Sequence, residues 1–177
     1  MKTLCTRFSV LLIVLLTSLS LVPTSAQRSR RIKREPMPPY LEKSWEQQQA
    51  IDSVEKLLAA SEYKYTSAGA GVWVIRRQGE HLKFFQLVLY TEGASLFTEV
   101  IVARGKSLRL DEAKPHILKL AKELEDVKIG FDKDDDLFVR NEALLKSLNV
   151  DGLKTNIERI AKVADEVYLQ VQQFRNF

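Results

Sequence analysis

YKYTSAGAGVWVIRRQGEHLKFFQLVLYTEGASLFTEVIVAR, residues 63–104, is the stretch on which the fold turns. It divides into three or four β-rich runs with period-two alternation: Tyr63 to Thr66, Gly71 to Arg77, Leu82 to Tyr90, and Ala94 to Arg104. Gln78-Gly79-Glu80 and Glu92-Gly93 supply turns between them. Loops this short cannot carry a parallel crossover, so the runs form an antiparallel meander. The alternation is unusual in one respect. Phe85, Leu87 and Leu89 point to one side of their strand, while Phe84, Val88 and Tyr90 point to the other; Val72 and Val74 are likewise divided from Trp73 and Ile75. Both faces are therefore apolar, and a small sheet with one wet face would not read this way. The second face needs cover, for which the long last helix is the favoured candidate, with a second subunit or a client protein as the alternatives.

Helical periodicity brackets the meander. Ser44 is placed to cap a helix, with Gln47 three residues on, and Ile51, Val54, Leu57 and Leu58 recur at helical spacing. After the meander, Asp111 precedes a second helix with Pro115 in its first turn, and Ile117, Leu118, Leu120, Ala121 and Leu124 lie on one face to an end near Asp126. Val127, Ile129 and Phe131 then alternate with Lys128 and Gly130, the acidic turn 132–136 follows, and Leu137 to Arg140 returns as a hairpin strand. Leu144, Leu145 and Leu148 form a short helical piece. From Asp151 a long amphipathic helix carries Leu153, Ile157, Ile160, Ala161, Ala164, Val167, Tyr168 and Val171 on one face and reaches toward Phe174. The fold class is α+β, a single domain over residues 44–177 with an antiparallel sheet and the element order α-β-β-β-α-β-β-α.

The chain of 177 residues is 45% hydrophobic and 28% charged, with 7 Gly and 5 Pro, a composition that excludes disordered, collagenous and disulfide-scaffold classes. Residues 1–26 read as a signal peptide: Lys2 and Arg7 precede the apolar run Ser9 to Val22, and Pro23-Thr24-Ser25-Ala26 supplies small residues before Gln27. That run is short of the roughly 20 residues that span a hydrocarbon core, so export to a periplasm or the exterior is expected rather than retention. Positive charge just past the cleavage point opposes translocation and keeps an uncleaved membrane anchor as the alternative. The sole cysteine, Cys5, lies in the leader, which excludes a thiol nucleophile, a disulfide framework and lipoprotein processing in the mature chain.

Net charge is +4, but it is unevenly placed. Seven of the 27 basic residues and one of the 23 acidic residues precede Leu41, leaving 20 against 22 in the globular part. The domain is not a nucleic-acid binder by charge. Residues 27–43, QRSRRIKREPMPPYLEK, form a basic and then proline-rich linker. Its Arg28, Arg30, Arg31, Lys33 and Arg34 would tether the domain to an anionic membrane surface or polymer, each contributing about 1 kcal/mol near a charged surface; a solvated spacer is the plainer reading, and Arg31-Ile32-Lys33-Arg34 would also suit a dibasic processing protease, a setting that no Asn-x-Ser/Thr sequon supports.

The order of elements and four stretches in particular resemble the YbjN family. These are LLAASEYKYTSAGAGVWVI (57–75), FTEVIVARG (97–105), VKIGFDKDDDLFVRNEALL (127–145) and GLKTNIERIAKVADEVY (152–168), which together span nearly all of the globular part. The resemblance is one of order and hydrophobicity and carries no catalytic signature. It implies a fold similar to that of type III secretion chaperones, small α+β homodimers that hold unfolded stretches of client proteins, and some family members are described as sensory or regulatory. The signal peptide departs from that cytoplasmic pattern, so a binding-type role transfers and secretion-chaperone activity does not.

The search for chemistry points the same way. Asp132, Asp134 and Asp136 match the first ligands of a calcium loop, but Leu137 stands where Gly is required and Ala143 where Glu is required, so the segment reads as a hairpin turn. Gly105-Lys106-Ser107 lacks the upstream glycine of a phosphate loop, because Val100 occupies that position inside a strand. His81 and His116 have no zinc-ligand spacing, and no serine sits in a nucleophile elbow. No enzyme, cofactor or metal is expected. The favoured reading is an exported, non-enzymatic binding module that uses apolar strand-face residues such as Trp73, Phe84 and Tyr90 toward a protein partner or a second copy of itself. The alternative is an envelope-surface adaptor tethered by Arg28 to Arg34.

Overall fold

A computed structural model describes residues 39–124 and 126–176 of the chain. The expected signal peptide and the basic residues Arg28, Arg30, Arg31, Lys33 and Arg34 lie outside the described residues. Helix α1 runs Pro39–Ser61, followed by β1 (Tyr65–Gly69), β2 (Val72–Arg77), β3 (Phe85–Glu92), β4 (Ser95–Ala103), α2 (Leu110–Ala121), β5 (Lys128–Phe131), β6 (Leu137–Leu144) and α3 (Val150–Val171). The class is α+β with one antiparallel sheet, as its alternation predicts. All four runs of the meander are strands, so the order is α-β-β-β-β-α-β-β-α, with one strand more than the three that the sequence order counted. The extra strand is β1, which pairs Tyr65 to Ile75 and Ser67 to Trp73 at the sheet's edge.

Local boundaries differ from those that the sequence predicts. Helix α1 starts at Pro39, inside the expected linker, and Ser44 lies within the helix rather than capping it. A proline is well suited to the first helical position, where its missing N–H has no intrahelical partner to lose. Helix α2 begins at Leu110, so Pro115 sits beyond the first turn, on the exposed side of the helix. Ala113 and Ile117 are its buried residues, whereas Leu118 is 64% exposed, one step off the packed stripe. Strand β6 continues to Leu144, and Leu145–Ser147 is a single 3₁₀ turn. Asn149 caps α3 by accepting a 2.8 Å hydrogen bond from the Gly152 N–H.

The sheet order is β1-β2-β3-β4-β6-β5, antiparallel throughout. Helices α1 and α3 pack against each other and against β3, β4 and β6, while α2 packs on β5. One core joins Val54 and Leu58 of α1, Trp73, Ile75, Leu87, Leu89, Val100 and Val139 of the sheet, and Ile157, Ile160, Ala164 and Val167 of α3. The α3 residues recur at the spacing of one helix face, and the strand residues are alternate positions, so each element contributes the single stripe its geometry allows. The long last helix is thus fully engaged by the face carrying Leu87 and Leu89. It does not cover the other face, and no described element does.

Two carboxylates tie loops to this frame. Asp165 of α3 accepts hydrogen bonds from the N–H groups of Glu80, His81 and Leu82 at 3.2, 2.9 and 2.6 Å, holding the β2–β3 connection against the helix. A Cβ at Gly79 would collide with the Asp165 carboxylate, so a larger residue there would displace this anchor. Burial alone pushes the Asp165 carboxyl up, but the three amide donors outweigh it and hold it below the ordinary carboxylate value. Asp136 does the same for the turn after β4: it accepts from the Gly105 N–H at 2.9 Å and pairs with Arg104, and the amide bond is the main cause of its lowered carboxyl.

Two outcomes follow from this packing. Trp73 is 1% exposed and Phe84 is 77% exposed, so Trp73→Ala is expected to cost about 3–5 kcal/mol in urea unfolding and Phe84→Ala less than about 0.5 kcal/mol. Equal costs would show that the core is assigned to the wrong face. Asp165→Ala is expected to cost on the order of 2 kcal/mol at neutral pH. Because the folded carboxyl is held below its unfolded value, that contribution is complete above the ordinary range near pH 4 and fades as pH falls through the depressed folded value. Melting curves of the two proteins should therefore converge in strong acid; a gap that persists there would remove the charge from the explanation.

Candidate functional site

The strand pairings lay out the uncovered face row by row. Val72, Tyr90, Phe97 and Glu142 form one row across β2, β3, β4 and β6. Val74, Val88, Glu99, Arg140 and Lys128 form the next, and Ile101 and Phe138 begin a third beside Gly130. The apolar members of these rows are half-buried by one another and by the pleat rather than by a second layer.

Arg140 organises the centre. Its guanidinium carbon lies 5.6 Å from the Phe97 ring centroid and 5.2 Å from that of Phe138, so the cation rests among aromatic rings. Its Nη1 donates to the Tyr90 Oη at 3.3 Å and lies 3.8 Å from Glu99 Oε2, while the Tyr90 hydroxyl donates to the same Glu99 oxygen at 3.4 Å. The Arg140 Nε is buried and has no hydrogen-bond partner among the described residues. Tyr90 stacks on Phe97 at 5.2 Å with an interplanar angle of 13°. Burial chiefly raises the Tyr90 hydroxyl above its ordinary value; the Arg140 hydrogen bond opposes this and the Glu99 charge adds to it, so the phenol stays protonated and available as a donor. Tyr, Phe and Arg in one half-buried patch, with little rotamer freedom left to lose, is the composition that protein interfaces favour.

The three strand residues singled out from the sequence separate. Tyr90 belongs to this patch. Trp73 pairs with Leu89 and lies on the opposite face, beneath the helices, so it is unavailable to a partner. Phe84 precedes β3 and projects into solvent at the end of the sheet. The sequence reading passed over Phe97, Phe138 and Arg140, although each stands in an alternating strand. The missing information was which strands are neighbours, because β4 and β6 pair across an intervening helix and β5.

The acidic turn does not gather its carboxylates. Asp132 Oδ1 accepts from the N–H groups of Asp134 and Asp136, both at 2.9 Å, Asp135 pairs with Lys114 at 2.7 Å, and Asp136 faces Arg104 and Gly105. His116 packs on Phe174, and the backbone of His81 binds Asp165. Among the described residues no three His, Cys, Asp or Glu side chains converge.

No protein-family model and no curated protein sequence matches this chain. Solved structures do match its shape. YbjN from E. coli aligns over 71% of this chain and 94% of its own, at 10% identity and a TM-score of 0.54. A chain of the ExsC–ExsE complex aligns over 71% of this chain and 95% of its own, also at 10% identity, with a TM-score of 0.50. A chain of the heterodimeric ExoU–SpcU complex from the type III secretion system of Pseudomonas aeruginosa aligns over 68% and 98% respectively, at 17% identity and a TM-score of 0.49. The domain has the YbjN-like fold.

Proposed function

We propose that this is an exported, non-enzymatic protein-binding module of chaperone-like character, which takes an extended or unfolded segment of a partner protein on its uncovered sheet face. The observation that carries the reading is the patch of Tyr90, Phe97, Phe138 and Arg140, which no described element covers. Covering it would remove apolar surface from water. The ExsC–ExsE structure, a complex of two proteins on a similar fold, supports a binding role. A second copy of the chain is the alternative occupant. The sequence supports export through residues 1–26, and a peripheral role at an anionic surface through the charges of Arg28 to Arg34.

The binding reading is tested with reduced, denatured insulin as an aggregating reporter. The domain at equimolar ratio is expected to slow light scattering, and Tyr90→Ala with Phe138→Ala to weaken the effect about tenfold or more in the concentration needed, with little loss of melting temperature. Full protection by the double variant would sink the assignment of the face; light scattering of the free protein separates a dimer from a monomer.

The surface-adaptor reading is tested on the mature chain, expected to begin at Gln27 by N-terminal sequencing, with phosphatidylglycerol vesicles. Binding lost as salt rises, and absent when Arg28, Arg30, Arg31, Lys33 and Arg34 are replaced by Ser, would support it. Vesicle binding that survives both changes would reject it, and a mature protein that retains Ser9 to Val22 would reject export by cleavage.

A further inference from the structure

A cleft of about 710 Å³ opens at one end of the sheet, between the start of β3 and the end of β4. The β3–β4 ladder stops at Leu87 and Val100, yet β4 runs on to Ala103 and β3 reaches back to Phe85, which pairs with Arg77 of β2. On its other side β4 carries a bulge: Ile101 pairs with Phe138 and Ala103 with Leu137, leaving Val102 as the extra residue. A bulge bends its strand and sharpens the twist, and here it turns the end of β4 away from β3. The gap has an apolar floor of Phe85, Val102 and Ala103, all buried. One edge of Ile101 to Ala103 meets the cleft instead of a paired strand.

The rim is cationic. Arg76, Arg77, Arg104, Lys106 and Arg175 line the cleft against a single acid, Glu99, in a domain whose acids outnumber its bases. Two of these charges are already answered, Arg77 by Glu158 and Arg104 by Asp136. Arg175 donates to the Tyr168 hydroxyl at 2.8 Å, and Arg175, Arg76 and Lys106 form no ion pair among the described residues. The walls are held by hydrogen bonds to two carboxylates, since Asp165 fixes the loop that supplies Leu82 and Asp136 fixes the turn that supplies Arg104 and Lys106.

We infer that this cleft is a second binding site, adjoining the sheet face and sharing Val88, Glu99 and Ile101 with it, for an extended peptide segment in which acidic and aliphatic residues alternate. A strand's side chains point alternately to opposite sides, so one set meets the Phe85–Val102 floor while the carboxylates of the other meet Arg76, Lys106 and Arg175. Its backbone meets the open edge of β4. The chain's own Arg28 to Arg34 segment carries the wrong sign to be the occupant.

The test uses the mature chain and a fluorescein-labelled, acetylated and amidated octapeptide alternating Glu and Val, followed by anisotropy. It is expected to bind, to weaken with added salt, and to lose about tenfold or more in affinity in Arg76→Glu with Lys106→Glu, both exposed positions that leave the melting temperature unchanged. The same peptide with Lys in place of Glu is expected not to bind. Equal binding by the charge-reversed protein, equal binding by a Glu-Ser octapeptide, or no binding of the Glu-Val peptide would each overturn the proposal, the second by reducing the site to charge alone. Tyr90→Ala with Phe138→Ala is expected to leave this affinity unchanged, so failure here and failure of the sheet face as a binding surface are read separately.

Discussion

The burial of one face of a six-stranded antiparallel sheet beneath α1 and α3 is the constraint from which the other features of this domain descend. Every strand of such a sheet presents alternate side chains to opposite sides, and the helices that pack together here all serve the side of Trp73, Leu87, Leu89, Val100 and Val139. The opposite side carries aliphatic and aromatic residues of its own. Its surface is kept compatible with water by interleaved charge: Glu99, Arg140, Lys128 and Glu142 stand beside Tyr90, Phe97 and Phe138, and the Arg140 guanidinium lies across two of the rings. That arrangement leaves a surface both apolar enough to gain from contact and polar enough to remain soluble without it.

The same sheet is opened at one end by its own irregularity. The bulge at Val102 and the early stop of the β3–β4 ladder would be a weakness in a strand edge left to move. Here two carboxylates with lowered proton affinity hold the adjoining loops, Asp165 through three backbone N–H groups and Asp136 through Gly105 and Arg104. Charged acceptors on backbone donors are among the stronger hydrogen bonds available, so the cleft has walls set before any ligand arrives. Glycine at positions 79 and 105 admits these close approaches: a Cβ at Gly105 would come within 2.5 Å of the Asp135 carbonyl oxygen. Polar anchoring and the cationic rim are therefore adjacent parts of one structure.

How much of this could be read in advance depends on the range of the interaction. Helix α3 announces itself because Leu153, Ile157, Ile160, Ala164 and Val167 recur at a spacing set by the helix alone, and the meander announces itself because its turns are too short for any other connection. The apolar character of both strand faces was equally local. Assigning residues to a face was not: Trp73 and Tyr90 are both strand aromatics, and only the register of β2 against β3, which sets Trp73 opposite Leu89 and Val72 opposite Tyr90, sends them to opposite sides. Arg140 escaped notice for the same reason, because its aromatic neighbours come from β4 and from its own strand once β4 and β6 are known to pair.

Composition, turn chemistry and periodicity thus establish an α+β domain, its helices and its strands, together with the absence of a local catalytic motif, since each of these depends on residues within a few positions of one another. Which face the helices occupy, that α3 is spent on the Leu87 side, and that Val102 bulges to open a basic cleft depend on strand order and register across the whole sheet. Those are settled by the joint packing of segments far apart in the chain, where burying one apolar face to full density leaves no helix for the other.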